Sequence, residues 1–290
     1  MTAPVLQNTF SSQRLTLSYA EWGDPDAPPL LLVHGGRDQK RSWDNVAGHL
    51  SKRYRVIAHD LRGHGQSDWV SDGDYGVMEH VYDLSSLVET LELDRFTLIG
   101  HSLGGNITLR FAGLFPEKIE KLVAIEGLGP SPKMLAERQS TPVTTRLTNW
   151  IEQRRKISDR TPRIMQNLAE AEGRMKAAFS HLPDELIHHL TQTGIKSNPD
   201  GTVSWAYDPA GMGRSPSDIA HEDFVHLWTQ IACPTWLVYG ANSWASNPAK
   251  DGRAAPFQNA SVSIIEDAGH WLHHDQFDDF VGQLDTFLGS

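Results

Sequence analysis

Short, mainly apolar runs alternate along the chain with longer stretches in which apolar residues recur at helical spacing. Gly, Pro or charged residues bound the runs, which are LLLV (30–33), YRVIAH (54–59), FTLIG (96–100), KLVAI (121–125), TWLVYG (235–240) and SVSIIE (261–266). Runs without polar alternation are typical of strands that are buried on both faces of a parallel sheet. Between them, residues such as Val77, Val81 and Leu84 mark a helix face. The alternation predicts a doubly wound, mostly parallel α/β sheet.

Two segments depart from this alternation. Residues 4–23 predict a β-hairpin, because TLSYAEW alternates and a turn cluster rich in Asp and Pro follows it. Between about 128 and 230, polar amphipathic helices are predicted over 145–157, 163–180 and 183–194, with a small hairpin around Asp200-Gly201. Structureless loops of this length are rare in compact domains. We therefore expect a core domain of residues 1–127 and 231–290, and a helical cap of residues 128–230.

Composition narrows the class of protein. The chain has 26 Lys and Arg against 36 Asp and Glu, a formal net charge of −10, which argues against nucleic acid or an anionic membrane as the main partner. The single cysteine, Cys233, excludes an internal disulfide. No apolar run approaches the length of a membrane span, and the N-terminus lacks a signal-peptide pattern. We expect a cytoplasmic enzyme or small-molecule-binding protein, as a monomer or homodimer.

The strand FTLIG runs directly into GHSLGG and a helical stretch, so residues 100–104 form a G-x-S-x-G motif between strand and helix. Glycines two positions either side of Ser102 permit the sharp, strained turn that exposes a nucleophile. The helix beginning at Leu103 directs free N–H groups and the positive end of its dipole toward Ser102. This context favours a nucleophilic serine over an ordinary glycine-rich turn.

A second signal follows the run LLLV, where small residues begin HGGRDQKRSW, residues 34–43. Small residues at this point leave a backbone N–H available as an oxyanion donor. We expect the donors to be Gly36 and Leu103, with Arg37 as a lesser candidate, and we expect Asp38 and Trp43 to hold the loop. Three residues of HDLRGHGQSD are expected to organise the turn after the fourth strand: His59, Asp60 and Arg62.

The segment DAGHW places His270 on a loop between the run SVSIIE and the last helix. His270 is therefore the candidate general base. His273 and His274 follow on the helix, where we expect them to face solvent. HWLHH does not fit a zinc site, because adjacent positions do not converge on one metal.

HGGRDQKRSW, HDLRGHGQSD, GHSLGG and DAGHW, in this order, resemble the α/β-hydrolase superfamily, particularly its capped esterase and epoxide-hydrolase-like branch with the serine-hydrolase-like proteins. The resemblance spans roughly residues 15–127 and 232–288 and implies an eight-stranded sheet with a helical cap. Dehalogenases and soluble epoxide hydrolases of this superfamily carry a nucleophilic aspartate where this chain has Ser102. A serine suits acyl transfer, with His270 taking its proton, and requires neither a metal nor another cofactor.

The third member of such a triad is an acid, and its position here is unusual. Members of the superfamily commonly carry an aspartate three residues past the glycine that ends TWLVYG, where this chain has Ser243. Glu126 closes the apolar run KLVAI, next to the predicted nucleophile strand, and a buried carboxylate is costly unless it is paired. Some superfamily members place the acid at this point. We predict Glu126 as the acid; a salt bridge from Glu126 to the cap, and Asp251 as the acid, are the alternatives.

The sequence therefore predicts a metal-independent serine hydrolase that cleaves carboxylic esters or lactones with a fairly apolar acyl or alcohol part. A carbon–carbon bond hydrolase acting on diketones and a non-catalytic ligand receptor are the alternatives. Candidate substrate contacts are Arg37 and four residues of the predicted cap: Met165, Met175, Trp205 and Tyr207.

Overall fold

A mostly parallel sheet forms the centre of the protein. The computed structural model describes residues 2–71, 73–158, 160–212 and 218–289. Within these residues, eight strands form one sheet: β1 (Leu6–Ser12), β2 (Leu15–Trp22), β3 (Pro29–Val33), β4 (Arg55–His59), β5 (Phe96–His101), β6 (Ile119–Ile125), β10 (Thr235–Gly240) and β11 (Ala260–Ile265). Their order is β1-β2-β4-β3-β5-β6-β10-β11. The hairpin strands β1 and β2 and the pair β2–β4 are antiparallel, and the other pairs are parallel. The predicted eight-stranded sheet is confirmed.

Helices cover both faces of this sheet: α1 (Asp44–Leu50), α2 (Val77–Thr90), α3 (Leu103–Leu114), α8 (His221–Gln230), α9 (Pro248–Asp251), α10 (Leu272–Asp275) and α11 (Phe277–Leu288). Successive strand residues enter two separate apolar clusters, because side chains alternate between the faces of a strand. Leu31 and Leu98 pack with the α2 and α3 residues, whereas Leu30 and Ile99 pack with the α1 and α11 residues. Burial on both faces explains why β3 and β5 consist mainly of apolar residues.

The segment between β6 and β10 forms a second layer. It contains α4 (Pro132–Ser140), α5 (Val143–Ser158), β7 (Ile164–Met165), α6 (Leu168–Ala178), α7 (Asp184–Gly194), β8 (Ile195–Ser197) and β9 (Val203–Trp205). Short 3-10 helices lie at Lys40–Trp43, Pro116–Lys118 and Pro209–Met212. In the described part of this segment, β7, β9 and β8 form a three-stranded antiparallel sheet. The predicted hairpin is present as β8 and β9. The predicted helix over 163–180 is instead strand β7 followed by a shorter helix.

One helix of the predicted cap packs with the core. Helix α8 lies against α3, and its Phe224 and Trp228 belong to the apolar cluster of the main sheet. Trp228 stacks on Phe257, which follows α9 in the chain. The layer outside the core sheet therefore ends before α8, rather than at residue 230 as expected. We refer below to residues 128–212 as the insertion.

The two ends of the insertion are attached to the core to different extents. Helix α7 is held by hydrogen bonds from Gln39 Nε2 to Thr193 Oγ1 at 2.9 Å and between His189 Nε2 and the Arg41 carbonyl at 3.0 Å. In addition, the Gly65 N–H donates to the Ala206 carbonyl at 2.6 Å. By contrast, none of the residues of α4, all of which are described, is buried. Helix α5 leaves three apolar side chains exposed: Val143, Leu147 and Ile151.

The described part of the chain contains no helix with the length and apolar character needed to cross a membrane.

Candidate active site

Ser102 lies on the sharp turn between β5 and α3, with φ 54° and ψ −113°. A non-glycine residue in such a sparsely populated region costs of order 1–3 kcal/mol, and it persists only where the surroundings enforce it. The enforcing contacts come from the flanking glycines. A Cβ on Gly100 would lie 2.4 Å from the Gly104 carbonyl oxygen, and a Cβ on Gly104 would lie 2.2 Å from the Val33 carbonyl oxygen. The turn therefore requires both glycines of the motif.

His270 lies on the loop after β11, within hydrogen-bond distance of the serine. Its Nε2 is 2.9 Å from Ser102 Oγ, and its Nδ1 is hydrogen-bonded to Glu126 Oε2. When Nδ1–H donates to the carboxylate, Nε2 is the acceptor for the serine hydroxyl. Ser102, His270 and Glu126 are thus connected in the order that nucleophile, base and acid require.

Glu126 reaches this position because β6 lies directly beside β5. His101 and Ile125 are paired in register, so Ser102 and Glu126 each follow by one residue at the same edge of the sheet. The Glu126 side chain is fully buried, and its φ of 51° turns the chain away from the strand. Its Oε1 accepts the Gly240 N–H at 2.9 Å, and its Oε2 accepts the Ser243 hydroxyl at 2.7 Å. With His270, three described groups donate to a carboxylate that can only accept.

The two other positions considered for the acid lie elsewhere in the hydrogen-bond network. Ser243 donates to Glu126, so it contacts the carboxylate that is hydrogen-bonded to His270. Asp251 is hydrogen-bonded to Arg253 Nε at 2.9 Å and to Ser246 Oγ at 2.7 Å. The carboxylate that meets His270 belongs to Glu126, and the alternative of a salt bridge to the cap does not match these contacts.

The predicted oxyanion donors lie beside Ser102. Leu103 is the first residue of α3, where an N–H has no partner within the helix. Gly36 follows β3, and a Cβ placed on it would lie 4.0 Å from Leu103 Cδ2. In the part of the chain that the structure describes, neither N–H has a hydrogen-bond acceptor. The lesser candidate is wrong, because the Arg37 N–H donates to His64 Nε2 at 3.1 Å.

Buried histidines lie behind His270. His101 Nε2 donates to the His270 carbonyl at 2.9 Å, and the two rings are 4.8 Å apart. Burial, with a further contribution from His270, lowers the pKa of His101 well below its ordinary value. His273 and His274 are also buried, which corrects the expectation that they face solvent. The reason is that α10 is a single turn packed beneath the His270 loop, where His273 stacks on Trp43 at 4.7 Å. These rings supply packing rather than charge.

Asp60 and Arg62, which follow β4, make hydrogen bonds of the kind expected of residues that organise this turn. Asp60 accepts from Lys40 Nζ at 2.6 Å, and Arg62 donates to both carboxylate oxygens of Asp83 at 2.7 and 2.8 Å. His59 is buried, and burial lowers its pKa to about 4. Asp38 accepts the N–H of the next residue at 2.9 Å, and burial raises its pKa to about 7.

A small cavity of about 20 Å³ lies between the insertion and the loop after β3. Its lining residues include Arg37, Met175, Leu190, Trp205, Tyr207 and Trp271. A cavity of this volume holds about one water molecule. Neither Ser102 nor His270 is among the described residues that line the cavity. Two of the lining residues are neighbours of residues in the candidate site, since Arg37 follows Gly36 and Trp271 follows His270. Met165 is wrong as a substrate contact, because it is fully buried with Ala171 and Val203 inside the insertion.

In the described ranges, no three or more His, Cys, Asp or Glu side chains are arranged to hold a metal ion.

A family model of the alpha/beta hydrolase fold matches residues 28–277. An uncharacterized protein of Mycobacterium tuberculosis is 39% identical over 102 residues, which are 35% of this chain and 30% of that protein. The chain therefore spans less than a third of the first curated relatives that it matches. The sn-1-specific diacylglycerol lipase ABHD11 of Xenopus laevis is 27% identical over 293 residues, covering 98% of this chain and 87% of that protein. Among solved structures, the thioesterase domain from the curacin biosynthetic pathway is 24% identical with a TM-score of 0.82, covering 98% and 99% of the two chains. An esterase of M. tuberculosis is 22% identical with a TM-score of 0.80, covering 100% and 94%.

Proposed function

Since the chain belongs to the alpha/beta hydrolase family, we propose that it is a serine hydrolase that cleaves carboxylic esters or lactones through an acyl-enzyme on Ser102. The observation that carries this proposal is the unbroken hydrogen-bond chain from the buried Glu126 through His270 to the strained Ser102. A serine hydroxyl is a weak nucleophile unless an adjacent base accepts its proton. His270 is that base, and Glu126 holds its Nδ1 protonated.

The reaction follows from this geometry. Ser102 Oγ attacks the carbonyl carbon while its proton moves to His270 Nε2, and the Gly36 and Leu103 N–H groups donate to the oxygen that becomes negative. His270 returns the proton to the leaving alkoxide: the alcohol of an ester departs, whereas that of a lactone remains as a hydroxyl on the acyl group, which is now bound to Ser102. A water molecule then attacks the acyl carbon, gives its proton to His270, and releases the acid as His270 reprotonates Ser102. Each oxyanion donor contributes about 10²–10³ in kcat.

The cavity supports an apolar substrate. Most of its side chains are aromatic or aliphatic, including Trp205, Trp271, Met175 and Leu190. An ester or lactone with an apolar acyl or alcohol part matches this lining, since such groups lose little by leaving water. A curated relative that matches 98% of the chain is named an sn-1-specific diacylglycerol lipase, and diacylglycerol is an apolar ester; one structural neighbour is named an esterase.

The test combines active-site labelling with turnover. A fluorophosphonate followed by peptide mass spectrometry is expected to modify Ser102 alone. A panel of p-nitrophenyl esters of increasing acyl length, with a matched lactone series, then reports hydrolysis. Ser102→Ala is expected to keep its thermal unfolding midpoint and to lose about 10⁴–10⁶ in kcat, because triad members act as a unit. A folded Ser102→Ala protein with more than about a tenth of wild-type activity would contradict the assignment. Labelling of Ser102 without turnover of any panel member would instead favour a ligand receptor.

A further inference from the structure

Ser243 lies in the turn after β10, three residues past Gly240. Its hydroxyl donates to Glu126 Oε2 at 2.7 Å, the same oxygen that accepts the His270 Nδ1–H. We propose that Ser243 is a positioning residue, which holds the Glu126 carboxylate against His270. This proposal rests on the proposed serine hydrolase function, and it assigns Ser243 a role in that same site.

The direction of the Ser243 hydrogen bond follows from its partner, because an ionised carboxylate can only accept. The Ser243 hydroxyl therefore donates to Glu126, while its oxygen accepts the Ala245 N–H at 3.2 Å. The other carboxylate oxygen accepts the Gly240 N–H at 2.9 Å. Each oxygen of Glu126 therefore accepts a hydrogen bond from this part of the chain, Oε1 from the last residue of β10 and Oε2 from the turn that follows it. A hydrogen bond to an ionised group is about twice as strong as one between neutral groups.

A glutamate carboxylate needs such hydrogen bonds to fix its position more than an aspartate carboxylate does. Its side chain has one more rotatable bond, so the carboxylate has more positions to choose from and loses more conformational freedom when it is fixed. The hydrogen bond from the Gly240 N–H holds only Oε1, so with that donor alone the carboxylate could still rotate about this hydrogen bond and move Oε2. Ser243 removes that rotation and places Oε2 at His270 Nδ1. The hydroxyl cannot replace the acid, but it sets where the acid lies.

The chain offers a matched control in the same loop. Ser246 is also a serine whose hydroxyl is hydrogen-bonded at 2.7 Å to a carboxylate, that of Asp251. Neither Ser243 nor Ser246 is among the described residues that line the cavity. Ser246→Ala therefore removes a serine-to-carboxylate hydrogen bond from the loop without changing the carboxylate at His270.

The experiment compares Ser243→Ala, Ser243→Thr and Ser246→Ala by kcat, KM and thermal unfolding on one p-nitrophenyl ester. Loss of a hydrogen bond to a charged group predicts that Ser243→Ala lowers kcat about tenfold with KM unchanged. Ser243→Thr keeps a hydroxyl and is expected to retain most of the activity. Ser246→Ala is expected to change kcat by less than about twofold. Equal kcat values for Ser243→Ala and Ser246→Ala would overturn the proposal.

A double-mutant cycle separates positioning from a general effect on the loop. In the Glu126→Gln background, Ser243→Ala is expected to lower the rate of Ser102 phosphonylation much less than it does in the wild-type background. The reason is that the carboxylate through which Ser243 acts is already absent. The same fold loss in both backgrounds would contradict positioning through Glu126. If Ser102→Ala abolishes activity while these tests fail, only the role of Ser243 is wrong. If Ser102→Ala retains activity, the serine hydrolase function itself is wrong, and the role of Ser243 is wrong with it.

Discussion

Glu126→Gln is the substitution whose outcome the structure specifies most closely. The glutamine amide has one acceptor oxygen and one donor NH₂ group, whereas the carboxylate accepts at both oxygens. The Gly240 N–H is backbone and lies 2.9 Å from Oε1, so it cannot turn away. An NH₂ group facing it would leave two donors opposed, at a cost of about 1–3 kcal/mol. The amide oxygen is therefore expected to face Gly240, and the NH₂ group to face His270.

This orientation of the amide changes the tautomer of His270. An NH₂ group at His270 Nδ1 makes that nitrogen an acceptor, which moves the ring proton to Nε2, where it faces Ser102 Oγ at 2.9 Å. A protonated Nε2 cannot take the serine proton. The wrong tautomer and the lost charge together cost about 10⁴ in kcat in the best-studied serine protease, which corresponds to about 5.4 kcal/mol in the barrier. KM is expected to change little, because Glu126 is buried and is absent from the described residues that line the cavity.

The assay is steady-state hydrolysis of a p-nitrophenyl ester, with thermal unfolding to show that each variant is folded. Asp251→Asn is the matched control, because it makes the same change to a carboxylate that is hydrogen-bonded to Arg253 and Ser246. It is expected to keep kcat within about threefold of wild type. The reasoning is refuted if folded Glu126→Gln retains more than about a tenth of the activity. It is also refuted if Asp251→Asn is the more damaging change.

Three further outcomes are expected. Gly35→Ala should lower kcat at least about tenfold, because the added Cβ would lie 2.9 Å from His101 Nδ1, in the residue before Ser102. Gly36→Ala should keep kcat within about threefold, because the nearest atom to its Cβ is Leu103 Cδ2 at 4.0 Å. Equal losses of kcat in the two variants would contradict this expectation. Trp205→Ala should shift the kcat/KM ratio between short and long esters, whereas Met165→Ala should lower the free energy of unfolding by about 2–5 kcal/mol with that ratio unchanged. Burial lowers the pKa of His274 to about 3, so below pH 6.5 only the unfolded state takes up this proton, and stability falls with pH. His274→Phe should therefore lose about 2 kcal/mol less than wild type between pH 8 and pH 5 in urea unfolding, and an equal loss would refute the sign.

The sequence predicts those parts of the fold in which the local pattern of apolar residues directly reflects which residues are buried. β5 is buried at all six of its positions and β6 at its last four, so the apolar residues at 98–99 and 122–125 identified both strands without knowledge of their partners. Ser102 could be identified because its turn demands glycines at fixed spacing. Glu126 could be identified because an acid that ends a buried strand must be paired.

The errors concern contacts between distant parts of the chain. His273 and His274 lie on one short turn, and no periodicity in four residues reveals that the turn packs beneath another loop. Met165 belongs to a two-residue strand whose partner lies about forty positions later, so its burial depends on a pairing that the local sequence does not encode. The hydrogen bond between Ser243 and Glu126 joins residues 117 positions apart. Both residues could be singled out in the sequence, but the hydrogen bond between them could not be predicted from it.

The unequal attachment of the insertion has a consequence for how it opens. Local opening requires little free energy where few apolar contacts are buried, and native-state hydrogen exchange and limited proteolysis detect such regions. Helix α4 buries none of its described residues, whereas α7 buries Leu186, Ile187 and Leu190 and is hydrogen-bonded to the loop after β3. We expect amides of α4 to exchange with deuterium before those of α7, and the first protease cut in the insertion to fall in the connection from α4 to α5. We therefore predict that substrate enters past α4, while α7 stays in place through its hydrogen bonds to the loop after β3.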